Sequence, residues 1–297
     1  MLNQNELKDK KYVILCVAGQ SNAVGYDESI VDSYYTDLEN ERIMQLGLYE
    51  EDNLNIIPLG TCAQNYQDLR PYSHPENDKQ NRGTKGVHLP LGNLLLKYLP
   101  SEYNLLVIPA AYGGTGFTVG AEGTYDEMNL KPAEGMWRWG MQSPYYKGIK
   151  DRIAYALKLN EENKFLGMIW IQGEHDGADA EGQKVGFRSM TQDFFSYFNE
   201  NYSSRVMQGG WNKDIWYNVE TVNYWYGVGE CQTIWDNYRE WNPRTYVEIP
   251  RDTDSNEVNG TGLTASIRAA HYGNNAFLNV VAPRILEKIL ENQLLER

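Results

Sequence analysis

The sequence predicts an α/β protein in which helices cover both faces of a parallel β-sheet. Six short apolar runs bounded by turn residues have the continuous hydrophobicity of fully buried strands. Helical patterns lie between several of these runs, as expected for βαβ units. The 297 residues are 41% apolar and 23% charged, and they contain no repeat or low-complexity linker that would divide them. We therefore expect one domain, residues 1–297.

Strands and helices are predicted from the apolar patterns in chain order. The strands are residues 12–18, 55–59, 104–110, 165–172, 216–220 and 246–249. The helices are residues 87–99, 147–159, 187–198 and 275–294. Pro90 fits only the first turn of the first helix, and Pro283 is expected to kink the last one. The long stretches between these elements (62–86, 116–146 and 251–270) are expected to form loops around a site.

Charge and composition exclude several function classes. The net charge of −13 argues against non-specific binding to nucleic acid or to an anionic membrane. Three scattered cysteines without a CxxC pair, and four histidines without HExxH, predict neither a disulfide framework nor a metal site. No segment has the roughly 18 apolar residues of a membrane span. The apolar run at 12–19 is interpreted as a strand rather than a signal peptide, which predicts a cytoplasmic protein, or alternatively a virion-associated or extracellular one.

Functional residues are sought just after each strand, because sites in parallel sheets lie at the carboxyl ends of the strands. Ser21 follows the first strand in the motif Gly19-Gln20-Ser21-Asn22. A serine at a strand-to-helix turn can present its hydroxyl group at the sheet edge, where free N–H groups stabilise a developing oxyanion. The structural alternative is a plain helix cap beside a turn glycine.

Three further segments carry polar or glycine-rich motifs. Gly113 and Gly114 follow the third strand, and paired glycines allow close backbone approach. This turn lacks the patterns of phosphate-binding and dinucleotide-binding loops, which argues against a nucleotide ligand. The segment 172–176 reads Gln-Gly-Glu-His-Asp, and His271 directly precedes the C-terminal helix. Taken singly, each of these is also typical of an ordinary turn or cap.

Taken together, the motifs resemble those of the SGNH-hydrolase carbohydrate esterases of the sialate O-acetylesterase-like branch, and in particular the bacterial N-acetyl-9-O-acetylneuraminate esterases. The similar stretches are VAGQSNA, GGTGFTVGAEGTYDE, RWGMQSPYY, NKFLGMIWIQGEHD and RAAHYG, in the same order. The resemblance covers most of residues 12–290 and is weakest across 201–264. It implies a flavodoxin-like three-layer α/β/α sandwich around a five-stranded parallel sheet. It also implies removal of an acetyl group from a sugar hydroxyl, with no metal or organic cofactor.

The resemblance also implies a role for individual residues. Ser21 would be the nucleophile and His271 the general base. The backbone N–H groups of Ser21 and of the Gly113 and Gly114 turn would form the oxyanion hole, with the side-chain amide of Gln172 as a further donor. These roles agree with acyl-enzyme chemistry, which needs a neutral imidazole beside a hydroxyl and donors aimed at the oxyanion.

How His271 is oriented stays open at the level of the sequence. Many SGNH enzymes have Asp three residues before the catalytic His, where this chain has Arg268. The imidazole still needs an acceptor on its second nitrogen. A backbone carbonyl near Arg268 would give a Ser–His dyad, which similar sequences with Arg at this position favour. Alternatively, Glu174 supplies a carboxylate and is a third catalytic residue.

The expected substrate is an O-acetylated sialic acid, 9-O-acetyl-N-acetylneuraminate. Its carboxylate group calls for an Arg fork or backbone donors, and Arg138 and Arg82 are the candidates. Gln20 and Asn22, on either side of the serine, are also expected to contact the substrate. An alternative substrate is an acetylated bacterial surface polysaccharide (capsule or O-antigen), cleaved by a phage tail component. A third alternative is a non-catalytic carbohydrate-binding module that keeps the same fold.

Overall fold

A seven-stranded β-sheet forms the middle of the protein in the computed structural model, which describes residues 3–25, 37–47, 53–59, 86–118, 138–207, 209–253 and 270–292. The strand order across the sheet is β3-β2-β4-β1-β5-β6-β7. All neighbouring strands are parallel except β2 and β3, which are antiparallel. The strands are β1 Lys11–Gly19, β2 Ile43–Leu46, β3 Ile56–Pro58, β4 Tyr103–Ala111, β5 Lys164–Ile171, β6 Trp216–Val219 and β7 Tyr246–Val247.

The predicted α/β class is confirmed, whereas the expected five-stranded, purely parallel sheet is wrong in its strand count and at one edge. The six apolar runs of the sequence all contain a strand. The run at 55–59 was expected to be a buried parallel strand, but β3 is an antiparallel edge strand with Pro58 exposed. Strand β2 was missed because it has only four residues, Ile-Met-Gln-Leu, a run too short for its pattern to identify a strand.

Helices pack on both faces of this sheet. Helices α3 and α8 contact each other and lie on one face, where α3 contacts β2 and β4 and α8 contacts β6 and β7. Helices α4, α5 and α6 lie on the other face, where α4 contacts β1, β4 and β5 and α5 contacts α6. The helices are α1 Gln4–Lys8, α2 Ser21–Val24, α3 His88–Leu96, α4 Pro144–Leu159, α5 Ala180–Tyr202, α6 Cys231–Trp241, α7 Asn274–Ala276 and α8 Ala282–Glu291. None of the helices within the described residues combines the length and hydropathy of a membrane span.

Pro90 and Pro283 both lie in the first turn of a helix. Pro90 lies in the first turn of α3, as expected. Pro283 lies in the first turn of α8, and the residues before it, Phe277–Val281, form a π-helical stretch that joins α7 to α8. A proline leaves the carbonyl four residues earlier without its helical donor, and a π-helical turn is one way for a helix to accommodate this. The expected interruption of the C-terminal helix therefore takes this form.

The register of the central strands brings their carboxyl ends to one level. Gly19 at the end of β1 pairs with Ala111 at the end of β4 and with Ile171 at the end of β5. Strand β1 is fully buried from Tyr12 onward, which explains why its sequence is a continuous apolar run. The loops that follow these three strands therefore start side by side, and they carry the motifs noted in the sequence.

Candidate active site

The serine motif begins with a turn that only glycine can form. Gly19 has a φ of +131°, and a Cβ atom on it would lie 2.0 Å from the carbonyl oxygen of Ile171. This close approach lets the N–H group of Gln20 donate to that oxygen at 2.9 Å. Ser21 follows as the first residue of α2 and is 4% exposed. Its Oγ atom has no hydrogen-bond partner among the described residues, so the hydroxyl group takes no structural role there.

Asn22 connects the serine motif to the segment that carries His271. Its Oδ1 atom accepts from the backbone N–H of Tyr272 at 2.9 Å, and its Nδ2 atom donates to the carbonyl oxygen of Ala270 at 3.1 Å. These contacts join residues about 250 positions apart and bring His271 beside the serine turn. The side chain of Asn22 is fully buried and bonded to protein groups, and its predicted contact with substrate stays a prediction.

Glu174 lies next to Asn22, in the 3-10 helix Glu174–Asp176. Its Oε1 atom accepts from Asn22 Nδ2 and from the Thr221 hydroxyl, both at 2.6 Å. Its Oε2 atom has no hydrogen-bond partner among the described residues. Complete burial raises the pKa of this carboxyl group to about 7, against the lowering effects of Thr221, Asn22 and the charge of His271.

Glu174 is one of the two alternatives for orienting His271, and it lies within the described residues. The charge of His271 lowers the pKa of Glu174, so the carboxylate lies within electrostatic reach of the imidazole. Arg268, whose carbonyl region was the other alternative, lies outside the described residues. The Ala270 carbonyl nearby accepts from Asn22 and also from the indole N–H of Trp225, at 2.9 Å. Both alternatives therefore stay predictions.

The side chain of Gln20 also bonds to protein groups, and its predicted contact with substrate stays a prediction too. Its side chain is fully buried, and its Nε2 atom lies 2.6 Å from Nδ1 of His175. With the amide NH₂ as the donor, the His175 nitrogen is the acceptor in this contact. Gln20 Oε1 accepts from the backbone N–H groups of Gly173 and His175, at 3.4 and 3.3 Å. The side chain therefore ties the serine turn to the loop after β5.

Gln172, which the sequence predicts as a further oxyanion donor, is engaged in a buried hydrogen-bond network. Its Nε2 atom donates to Asp176 at 2.5 Å, and its Oε1 atom accepts from Tyr238 at 3.0 Å and from Gln183 at 3.3 Å. The side chain is fully buried. These contacts fix the loop after β5 against α5 and α6, which gives Gln172 a structural role.

Asp176 holds the glycine-rich loop in place, a role that the sequence did not reveal. Its Oδ1 atom accepts from the backbone N–H of Phe117 at 2.8 Å and from the N–H and hydroxyl of Thr118 at 2.7 and 2.8 Å. A Cβ atom on Gly116 would lie 2.8 Å from this oxygen, so the close contact needs glycine. Burial raises the pKa of Asp176 to about 6, although Gln172, Thr118 and Phe117 all donate to it.

The Gly113–Gly114 turn follows β4 at the same edge as Ser21. Gly114 has a φ of +70°, which favours glycine. The turn is followed by Thr115, whose hydroxyl donates to the carbonyl of Tyr112 at 2.6 Å and accepts from the indole N–H of Trp139 at 2.9 Å. These bonds, together with those to Asp176, hold the backbone of the turn.

The two arginines that the sequence predicts to bind substrate are Arg138 and Arg82. Arg138 is half-buried, and the residue after it, Trp139, donates its backbone N–H to the carbonyl of Gly116 at 2.9 Å. Arg138 thus lies next to the glycine-rich loop. Arg82 lies outside the described residues. No three His, Cys, Asp or Glu side chains in the described part of the chain group as metal ligands would.

Comparisons with known proteins agree with this architecture. The chain is 29% identical over 315 residues to a protein of Escherichia coli (strain K12) described as "Probable 9-O-acetyl-N-acetylneuraminic acid deacetylase", covering 94% of this chain and 96% of that protein. The crystal structure of NanS matches with a TM-score of 0.75 and 28% identity, covering 95% of this chain and 98% of that one. A protein from Arabidopsis thaliana shares the fold, with a TM-score of 0.57, 14% identity and coverage of 95% and 98%.

The matches to the E. coli protein and to NanS run almost from end to end, so they compare whole chains and not an isolated motif. No protein-family model matches the chain. The resemblance to the bacterial N-acetyl-9-O-acetylneuraminate esterases that the sequence motifs indicated is therefore confirmed over nearly the whole length of this protein.

Proposed function

We propose that the protein is a serine esterase that removes O-acetyl groups from sialic acid, with 9-O-acetyl-N-acetylneuraminate as its substrate. The observation that carries this proposal is the pair of hydrogen bonds between Asn22 and the backbone on both sides of His271. Because Asn22 directly follows Ser21, these bonds support a site in which Ser21 is the nucleophile and His271 the base. The full-length relative described as a 9-O-acetyl-N-acetylneuraminic acid deacetylase supports the substrate class.

The proposed reaction proceeds through an acetyl-enzyme. Neutral His271 accepts the proton of the Ser21 hydroxyl as Oγ attacks the acetyl carbonyl carbon, and the carbonyl oxygen becomes an oxyanion. The backbone N–H groups of Ser21, Gly113 and Gly114 donate to that oxyanion. The intermediate collapses as the ester C–O bond to the sugar breaks, and protonated His271 gives its proton to the departing sugar oxygen, which leaves as a hydroxyl group. His271 then takes a proton from a water molecule that attacks the acetyl carbon, and it returns this proton to Ser21 Oγ as the acyl–oxygen bond breaks and acetate leaves.

Glu174 is proposed to stabilise His271 while it carries the transferred proton. An imidazolium ion formed in a buried site needs a nearby negative charge, and Glu174 interacts electrostatically with His271. Thr221 and Asn22 both donate to Oε1, which favours the ionised form of this carboxyl group. The carboxylate would therefore be available as the histidine becomes charged.

Recognition of a sialic acid requires local positive charge, because the substrate is an anion and the protein has a net charge of −13. Arg138, next to the glycine-rich loop, and Arg82 are proposed to bind the substrate carboxylate. Arg138→Gln should raise KM for the acetylated sialic acid and leave hydrolysis of the uncharged p-nitrophenyl acetate unchanged. Arg188→Gln, on the exposed side of α5, is the matched control and should leave KM unchanged for both substrates.

The decisive experiment separates the chemistry from the substrate. The protein is incubated with mono- and di-O-acetylated sialic acids, with an O-acetylated capsular polysaccharide and with acetylated xylan. The products are then chromatographed, with Ser21→Ala as the blank. Release of acetate from the sialic acids by the wild-type protein alone is the expected result. Cleavage of a polysaccharide with the sialic acids untouched would contradict the proposed substrate and keep the esterase chemistry. Absence of hydrolysis of every ester, including p-nitrophenyl acetate, would favour a binding module.

A further inference from the structure

We propose that Asn22 is a positioning residue whose side-chain amide sets the place of His271 relative to Ser21 and joins both to Glu174. This inference rests on the proposed function, in which Ser21 and His271 react together. The side chain of Asn22 is fully buried among protein groups.

Asn22 binds the two peptide groups on either side of His271. The carbonyl of Ala270 and the N–H of Tyr272 belong to the two peptide units that flank the Cα atom of His271, and Asn22 bonds to both, at 3.1 and 2.9 Å. Because these units are planar, fixing both of them restrains the backbone of His271 and the direction of its Cα–Cβ bond. Asn22 is covalently joined to Ser21, so its side chain connects the backbone of the proposed nucleophile to the backbone of the proposed base.

The donor side of the amide extends this link to Glu174. Three acceptors lie within 2.6–3.1 Å of Nδ2: the Glu174 carboxylate, the Ala270 carbonyl and the Thr221 hydroxyl. An NH₂ group has two protons, and the Thr221 hydroxyl donates its own proton to Glu174. The two amide protons are therefore shared among these three acceptors, with the Glu174 carboxylate nearest at 2.6 Å. Asn22 holds the carboxylate and the histidine backbone through one rigid planar group.

An amide is the only short side chain that can make this set of contacts. The site needs one acceptor, for Tyr272, and two donors, for Ala270 and Glu174, at the length of an Asn side chain. An Asp at this position keeps the acceptor but turns an oxygen toward a carbonyl and a second carboxylate. Alanine has neither group. Variants at residue 22 therefore test the role of these three contacts.

The test compares Asn22→Ala with Asn163→Ala. Asn163 is also fully buried and also makes one bond to a backbone carbonyl, Ala156 at 2.8 Å, and one from a backbone N–H, Tyr12 at 2.7 Å. It lies next to the amino-terminal ends of β1 and β5, at the edge of the sheet opposite the serine turn. Both substitutions remove a similar buried amide, so both should lower Tm.

Only the Asn22 substitution should affect turnover. With the acetylated sialic acid as substrate, we expect Asn22→Ala to lower kcat by about 10²-fold, the effect typical of a catalytic group displaced by an ångström, while KM stays nearly unchanged. The rate at which diisopropyl fluorophosphate labels Ser21 should fall by a similar factor, because that reaction needs the same base. Asn163→Ala should keep the wild-type kcat and labelling rate below its own Tm.

Asn22→Asp provides a second test that does not depend on how well the alanine variant folds. When ionised, the introduced carboxyl group repels Glu174; when protonated, its O–H can donate and replace part of the amide. The ratio of variant to wild-type kcat should therefore rise as the pH falls. A side chain with a merely structural role predicts the same ratio at every pH.

The possible outcomes separate this inference from the proposed function. A wild-type kcat in Asn22→Ala, or an equal loss in Asn163→Ala, would overturn the role of Asn22 while the esterase chemistry stands. A ratio for Asn22→Asp that does not change with pH would also overturn it. A wild-type protein that neither hydrolyses acetyl esters nor reacts with the organophosphate would instead refute the proposed function.

Discussion

Replacing Glu174 by Gln should raise the free energy of unfolding relative to that of the wild type as the pH rises from about 5 to 9. Burial raises the pKa of this carboxyl group from 4.5 to about 7. The folded protein therefore binds the proton more tightly than the unfolded chain does. The corresponding stability is fully present below the unfolded pKa and is lost as the pH rises through the folded one. Glutamine fits the same space and never ionises, so the variant avoids this loss.

The size of the effect follows from the two pKa values of Glu174. A pKa of about 7 in place of 4.5 corresponds to about 3 kcal/mol, at 1.36 kcal/mol for each tenfold change in proton affinity. The variant keeps a carbonyl oxygen for the donors Asn22 and Thr221, and its NH₂ group takes the place of Oε2. The free-energy cost of burying the new NH₂ group is the same at every pH. It therefore does not affect how the difference in free energy of unfolding between the two proteins changes with pH.

The assay is urea unfolding of both proteins between about pH 5 and pH 9, followed by the near-UV signal of the buried tryptophans. The free energy of unfolding of Glu174→Gln minus that of the wild type should rise by about 2.5 kcal/mol over this range, because part of the effect is already present at pH 5, above the unfolded pKa of 4.5. Asp176, the other buried carboxyl group next to the site, is present in both proteins and does not contribute to the difference. A difference that stays constant with pH would refute the reasoning, because Glu174 would then titrate normally in the folded state.

The same variant tests how His271 is oriented. If the Glu174 carboxylate stabilises the imidazolium, kcat should fall, and a fall of about 10⁴-fold would match the loss of a triad carboxylate. Near-normal kcat would instead favour a backbone carbonyl near Arg268 and a Ser–His dyad. Measuring kcat at a pH above 7, where the wild-type carboxyl group is ionised, makes the comparison sharpest.

Three further substitutions test other parts of the site. Ser21→Ala should lower kcat by about 10⁶-fold. The Oγ atom of Ser21 has no hydrogen-bond partner among the described residues, so the free energy of unfolding of this variant, from a urea titration, should stay within about 0.5 kcal/mol of the wild type. Asp176→Asn turns an NH₂ group toward that of Gln172 and should destabilise by about 1–3 kcal/mol in the same titration, with a lower kcat as the glycine-rich loop loosens. Unchanged values would contradict the loop-anchoring role. Gly19→Ala places a Cβ atom 2.0 Å from the carbonyl oxygen of Ile171 and should destabilise by more than about 4 kcal/mol, seen as loss of folded protein by circular dichroism. A well-folded alanine variant would show that the turn can shift.

The fold could be predicted where the sequence pattern is continuous. The strand at 12–18 is a run of apolar residues buried on both faces, so burial alone identifies β1. Short elements escaped prediction. Strand β2 has four residues, and its place in the sheet depends on pairing with β4 and β3, which are distant in sequence. Helix α6 was missed although its buried residues, Cys231, Ile234, Trp235 and Tyr238, follow the i, i+3, i+4, i+7 spacing of an amphipathic helix.

The motifs predicted which segments meet, but not what each side chain does. Gln20, Asn22 and Gln172 are polar residues in motifs at strand ends, and such residues are as suited to binding a ligand as to binding protein groups. The choice depends on burial and on the partners within reach, and all three side chains are fully buried. Asp176 is a similar case, since its donors come from Phe117 and Thr118, about 60 positions earlier.

The sequence by itself determined the α/β class, the strand ends at which the site lies and the candidate pair Ser21 and His271, because these follow from local patterns and motifs. Only the tertiary structure decided the seven-stranded sheet with its antiparallel edge and the burial of the amides around the serine. It also decided the hydrogen bonds that Asn22 and Thr221 donate to Glu174. The physical reason is the same in each case: hydrogen-bond partners and desolvation depend on which distant segments pack together, and no local pattern of residues specifies that.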